Sequence, residues 1–327
     1  MSNKVKTDRR KLHPLLTEPV DMRDGVAGME RPRNVLRHVA EDPAPLLNLA
    51  HRHMVSARQF SRDQIVQLCR LAAAYETSTR LYTKPLAGKI MITAFYEPST
   101  RTRLSFESAW HRLGGDVMSI TDAQTTGIAK GESLQDVAEM FSNYGDLVIL
   151  RDSDENSVYD MLERLRIPII NAGNGVDEHP TQALADIYAL LKWRPDQISG
   201  KHAASADGAA GDLFASSAAS SGDASIAEER ATIGIIGTPA NMRTLRSFLI
   251  LLANFAPRFD VVVINPANES DVFSEDQREE LEDIGMQIRV VANFKAVLPE
   301  LDIIYINSIA WIGDTYERLT GDLKLTA

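Results

Sequence analysis

From about residue 55 the chain alternates short apolar runs with longer segments of helical periodicity. Runs at 89–95, 116–120, 146–150 and 167–171 are short, apolar and rich in β-branched residues, which predicts buried strands. Helices are predicted before, between and after them at 62–74, 104–113, 134–144 and 181–193. Ser61 and Ser133 stand where a helix cap is needed, and Gly114-Gly115 ends the second of these helices. The same alternation resumes with strands predicted at 232–236, 261–264, 287–291 and 303–306, and a helix at about 243–255. Strand–helix alternation of this kind predicts an α/β fold built on two open, mostly parallel sheets.

Two stretches break the pattern. Residues 1–50 are polar, dotted with proline and weakly periodic, and are expected to form a flexible extension. Residues 201–229 are almost entirely Ala, Ser, Gly, Asp and Glu, which leaves little to bury, so 196–230 is read as a low-complexity insertion or linker. The predicted organisation is therefore an extension at 1–50, a first domain at 51–195, the insertion, and a second domain at 231–327 that is short of sheet and helix at its end.

Composition narrows the function. The chain has 327 residues, enough for two domains with their own cores, and a formal net charge of −10. An acidic surface opposes binding to nucleic acid and to anionic membranes, so an anionic substrate has to be held by a local cluster of cations. The single cysteine, Cys69, lies in an apolar-patterned run and is expected to be a buried thiol. No Cys/His group has zinc-ligand spacing. No run approaches the roughly 18 apolar residues of a membrane span, and the basic N-terminus lacks a signal-peptide core. A cytoplasmic protein is expected.

The segment from Tyr96 to Phe106 carries the chemistry. A predicted strand ends, Ser99, Thr100 and Thr102 supply hydroxyls, Arg101 supplies a planar fork, and a helix begins. Free N–H groups and the dipole at a helix start favour an anion, and a guanidinium matches phosphate oxygens. The bland alternative is an ordinary cap with solvated arginines. Arg103 is read as structural, paired with an acid such as Glu107. Gly234 and Gly237 make half of a dinucleotide fingerprint, and the missing glycines argue against a nicotinamide-dependent oxidoreductase.

Three ordered motifs, the Ser99–Phe106 segment, Lys130-Gly-Glu-Ser133 and His179-Pro-Thr-Gln182, together resemble the aspartate and ornithine carbamoyltransferases. The flanking text, including Asn171-Ala-Gly-Asn-Gly175, is closer to the aspartate branch. The resemblance implies a carbamoyltransferase-like pair of domains and transfer of a carbamoyl group from carbamoyl phosphate to an amino acid, aspartate first, as in pyrimidine biosynthesis. It implies that Ser99, Thr100, Arg101 and Thr102 hold the phosphate. Arg151 would bridge phosphate and carbonyl oxygen, His179 would donate to that oxygen, and Gln182 would orient the carbamoyl amino group. Arg101, Thr102, Arg151 and His179 make the catalytic set, and Arg243 the amino-acid carboxylate site. Lys130 would enter the site of a neighbouring subunit in a homotrimer. No metal or organic cofactor is required.

The acceptor half departs from the family pattern. Ser308 aligns with a second carboxylate-binding arginine, and Ala310 with a glutamine. Serine cannot replace a charged bidentate fork. The family's His-Pro-Leu-Pro loop has no match, and the chain reads as cut short. Two classes of function stay open on sequence: a working carbamoyltransferase, or a non-catalytic homologue that assembles with or regulates one. Amine-dependent phosphate release separates them.

Overall fold

The computed structural model describes residues 26–78, 83–199, 230–265 and 272–306. The insertion at 201–229, Ser308, Ala310 and the chain end lie outside these residues.

Helices α1 (Val26–His38) and α2 (Arg62–Thr77) precede the first sheet. Ser61 caps α2 through a full capping box, its hydroxyl accepting from Gln64 N–H while the Gln64 side chain accepts from Ser61 N–H. Helix α1 lies inside the region expected to be a flexible extension. Val35 and Val39 are buried in the largest core cluster, and α1 packs against α2. Pro32 and the arginines of α1 hid this apolar stripe in the sequence.

The first sheet runs β1 (Ile90–Phe95), α3 (Thr100–Arg112), β2 (Asp116–Ile120), α4 (Leu134–Tyr144), β3 (Leu147–Asp152), α5 (Ser157–Leu162), β4 (Ile169–Asn174) and α6 (Pro180–Trp193). Its order is β2-β1-β3-β4, with every pair parallel. The second sheet contains β5 (Ala231–Ile236), α7 (Arg243–Ala253), β6 (Phe259–Ile264), α8 (Gln277–Asp283), β7 (Gln287–Val291) and β8 (Ile303–Ile306). Its order is β7-β6-β5-β8, again all parallel. The expected α/β class with two open parallel sheets is what forms. The largest difference in boundaries is α3, which starts at Thr100 instead of residue 104, so most of the anion motif is the first turn of the helix itself.

In each sheet the chain order reverses once, between β1 and β3 and between β5 and β8. Ligands of open α/β sheets bind beyond the carboxyl ends of strands at such a reversal. The first sheet packs its own clusters, one around Ile92, Val148 and Ile169 and another around Met91, Phe95 and Ile149, while a third and larger cluster crosses between the halves. The largest apolar cluster joins Val35 of α1, Ile65 and Cys69 of α2 and Ile187 of α6 to Ile233, Phe248 and Val261 of the second half. Cys69 is buried, and burial pushes its thiol up to about 12. No helix among the described residues is long and apolar enough to cross a membrane.

Candidate active site

A cavity of about 1550 Å³ lies between the carboxyl ends of the two sheets. Its first wall is the start of α3. Ser99 is the N-cap in an extended conformation, its side chain makes no capping bond, and the first turn holds no acid. The N–H groups and hydroxyls of the segment are thus uncommitted, and Ser99, Thr100, Arg101 and Thr102 all line the cavity. Arg103 points elsewhere. It donates to Glu107 Oε1 at 3.2 Å, and the same oxygen accepts from Ser119 Oγ at 2.8 Å and Thr93 Oγ1 at 3.1 Å. This network pins α3 to the sheet and matches the structural role expected for Arg103.

Strand β3 brings Arg151 beside β1, in register with Phe95. Its guanidinium donates to Glu97 Oε1 at 2.7 Å and to the Ala172 carbonyl at 3.2 Å. Arg243, at the start of α7, donates to both Glu97 oxygens at 2.7 and 2.8 Å and to the Gly175 carbonyl at 2.7 Å. One carboxylate therefore spans an arginine from each half. Burial opposes its ionisation, but the hydrogen bonds and charges of Arg243 and Arg151 outweigh that and hold Glu97 below the usual range. Gly173 permits this crowding. Its φ is +113°, and a Cβ there would stand 3.0 Å from Arg243 Nε and 3.1 Å from Arg151 Nη1.

His179 caps α6, and its Nδ1 accepts from Gln182 N–H at 3.4 Å. A backbone N–H can only donate, so Nδ1 carries the lone pair and Nε2 the proton. Burial, followed by the charges of Arg151 and Arg243, lowers the ring to about 3. It is a neutral imidazole with one donor left to give. Ser247 of α7 fixes its backbone, accepting from His179 N–H at 2.9 Å. The preceding residue, Glu178, is 1% exposed and accepts from Ser56 Oγ, Ala57 N–H, Arg58 and Ser247 Oγ. This carboxylate ties α6 to the segment before α2 and to α7. Gln182 also lines the cavity.

The structure thus gathers eight of the nine sequence-flagged residues: Ser99, Thr100, Arg101, Thr102, Arg151, His179, Gln182 and Arg243. The ninth, Lys130, is exposed in the turn Gly127–Lys130 and does not line the cavity. Glu97, Glu178 and Asp186 were missed by sequence reasoning. Glu97 sits inside the quoted motif, but its partners are 54 and 146 residues away. No group of three or more His, Cys, Asp or Glu that could hold a metal occurs among the described residues.

Fold and site define a two-sheet α/β protein whose cavity sets an acid-free helix start of one half opposite an arginine from the other. Residues 52–192 match the family "Aspartate/ornithine carbamoyltransferase, carbamoyl-P binding domain". The aspartate carbamoyltransferase catalytic subunit of Methanopyrus kandleri is 33% identical over 287 residues, covering 85% of this chain and 81% of that one. Among solved structures, aspartate transcarbamoylase from Trypanosoma cruzi in complex with carbamoyl phosphate and aspartate is 28% identical with a TM-score of 0.64, over 80% of this chain and 74% of that one. The same enzyme in complex with N-(phosphonacetyl)-L-aspartic acid matches with a TM-score of 0.62 and 28% identity, over 79% and 72%. The chain belongs to the aspartate/ornithine carbamoyltransferase family, on its aspartate carbamoyltransferase branch.

Proposed function

We propose that this chain transfers the carbamoyl group of carbamoyl phosphate to the amino group of aspartate, releasing phosphate. The observation that carries this reading is the shared cavity: an acid-free helix start with Arg101 on one wall, Arg243 on the other, and neutral His179 beside them.

Ser99, Thr100, Arg101 and Thr102 take the phosphate, through N–H groups, hydroxyls and a guanidinium suited to its oxygens. The aspartate amine attacks the carbamoyl carbon and negative charge grows on the carbonyl oxygen. His179 Nε2–H and Arg151 donate to that oxygen, so they bind the transition state more tightly than the ground state. A neutral imidazole suits this, because it donates at Nε2 without needing to be charged. Gln182 orients the carbamoyl amino group. The bond from carbon to the phosphate oxygen breaks, and the departing phosphate accepts the amine's proton. Arg243 takes the α-carboxylate of aspartate. Among the described residues its Nη1 makes two of its bonds and its Nη2 one, which leaves Nε–H and the second Nη2–H for a substrate.

In this reading residues 51–195 bind carbamoyl phosphate and residues 231–327 bind the acceptor. The protein works as a homotrimer in the cytoplasm, within pyrimidine biosynthesis, and Lys130 completes a neighbour's site. Exposed apolar side chains on the first half support assembly: Leu104 of α3, Met118 of edge strand β2, and Met140 and Tyr144 of α4. Helix α3 has no buried residue of its own. Mixing inactive Lys130→Ala chains with inactive Arg101→Ala chains restores activity if sites are shared, and restores none if each chain is self-sufficient.

The direct test is phosphate release from carbamoyl phosphate, with aspartate, ornithine or no amine added. Release that requires aspartate supports the proposal. No release with any amine favours the second reading, a non-catalytic homologue that assembles with an active carbamoyltransferase, which the acceptor-side departures at Ser308 and Ala310 suggest.

A further inference from the structure

Gln182 is exposed on α6, where an unrestrained carboxamide presents either its oxygen or its amino group. Four residues on, and so on the same helix face, stands Asp186. Gln182 Nε2 donates to Asp186 Oδ1 at 3.0 Å. The other carboxylate oxygen, Oδ2, accepts from Tyr305 Oη at 2.9 Å. Tyr305 is held in turn. Its ring stacks on Phe248 at 4.6 Å, with 13° between the planes, and its backbone pairs with Ile235 in the second sheet. Gln182, Asp186 and Tyr305 all line the cavity.

We infer that Asp186 is a positioning residue that fixes the carboxamide of Gln182 with its oxygen presented to the carbamoyl amino group, and that Tyr305 of the second half anchors it. This rests on the carbamoyl-phosphate reading given above. An ionised carboxylate only accepts, so it draws the Gln182 amino group toward itself and turns Oε1 the other way. The substrate's amino group only donates at that point. The orientation set by Asp186 is therefore the one that pairs, and the flipped carboxamide would set donor against donor. Burial raises the Asp186 carboxyl, and the hydrogen bonds from Tyr305 and Gln182 counter that rise. The Tyr305 contact also means that the first half's grip on the carbamoyl group depends on a strand of the second.

The test is calorimetric titration of the full chain with carbamoyl phosphate and, separately, with inorganic phosphate, which has no amino group. Asp186→Leu should weaken carbamoyl phosphate binding about tenfold, the scale of one lost hydrogen bond, and leave phosphate binding unchanged. In a Gln182→Ala background the same substitution should add nothing. Asp186→Asn keeps an acceptor for Gln182 and should lose no more than about threefold. Tyr305→Phe, which leaves both cavity side chains in place, should give a selective loss of about threefold and carries the test should Asp186→Leu not fold. Equal weakening of both ligands, no effect on either, or a loss additive with Gln182→Ala overturns the inference. Wild-type protein that binds phosphate but not carbamoyl phosphate would sink the parent reading, and this one with it. Wild-type binding that is weakened only by Gln182→Ala leaves the parent reading standing and removes Asp186 alone.

Discussion

The two halves of this molecule meet the same cavity in different ways. The first half supplies Ser99–Thr102 from one contiguous turn, and Arg151, His179 and Gln182 from the ends of neighbouring elements of a single sheet. Among the described residues the second half supplies Asn241 to Thr244 after β5 and Tyr305 and Ile306 from β8, two neighbouring strands whose residues lie some way apart in the sequence. A phosphate can be held by a helix start, which is local and contiguous. Arg243 is held instead by partners in the cavity that come from other elements. The halves are nonetheless joined, since Glu97 bridges Arg151 and Arg243, and Glu178 bridges α6 and α7.

Breaking the first half should have the largest effect. Arg101→Ala is expected to lower kcat/KM for carbamoyl phosphate about a thousandfold, the loss of a charge-assisted contact at the phosphate. Steady-state kinetics with aspartate saturating reads it. Arg243→Ala should raise KM for aspartate roughly a hundredfold, as for a lost charged pair of about 2–3 kcal/mol, while carbamoyl phosphate binding changes far less. Equal damage to both substrates would mean that the halves do not divide the work.

The next prediction concerns pH. His179 is lowered from 6.5 to about 3 in the folded protein, so the unfolded chain binds the extra proton first as pH falls. Its contribution to stability is complete above pH 6.5 and is lost as pH falls from there toward about 3. Within that window the slope is about 1.4 kcal/mol per pH unit from this group. Urea unfolding of wild type and His179→Asn from pH 7 downward should show the slope in the wild type and its reduction in the variant.

Gly173→Ala should cost about 1–2 kcal/mol through its left-handed backbone alone. It should also raise KM for both substrates, because its Cβ presses on Arg151 and Arg243 together. Smallest of all, Glu280→Ala removes the exposed pair with Arg58 that joins the halves at 2.6 Å. It should cost no more than about 1 kcal/mol in thermal unfolding and leave kcat unchanged.

Much of this was legible in sequence. The strands were visible because parallel strands buried on both faces are continuous apolar runs, and Ser61 and Ser133 announced their helices. The cavity-lining turn was visible because Ser99 to Thr102 is contiguous and follows a strand. Helix α1 was not visible, because its buried face rests on few apolar residues, Val35 among them, set among arginines and a proline. Glu97, Glu178 and Asp186 were not visible as parts of the site, because an acidic side chain is defined by its partners. Theirs come from other elements: Arg243 is 146 residues from Glu97, Ser247 is 69 from Glu178, and Tyr305 is 119 from Asp186. The apolar cluster that crosses between the halves was hidden for the same reason, since Val35 and Phe248 join it from positions far apart in the sequence.

The central claim is that one cavity grips phosphate on the first half and a carboxylate on the second. Calorimetric titration with N-(phosphonacetyl)-L-aspartate, which carries both groups on one molecule, tests it most directly. The account predicts one site per chain, with affinity lost in both Arg101→Ala and Arg243→Ala and retained in Glu280→Ala. Binding that survives either arginine substitution unchanged would contradict it.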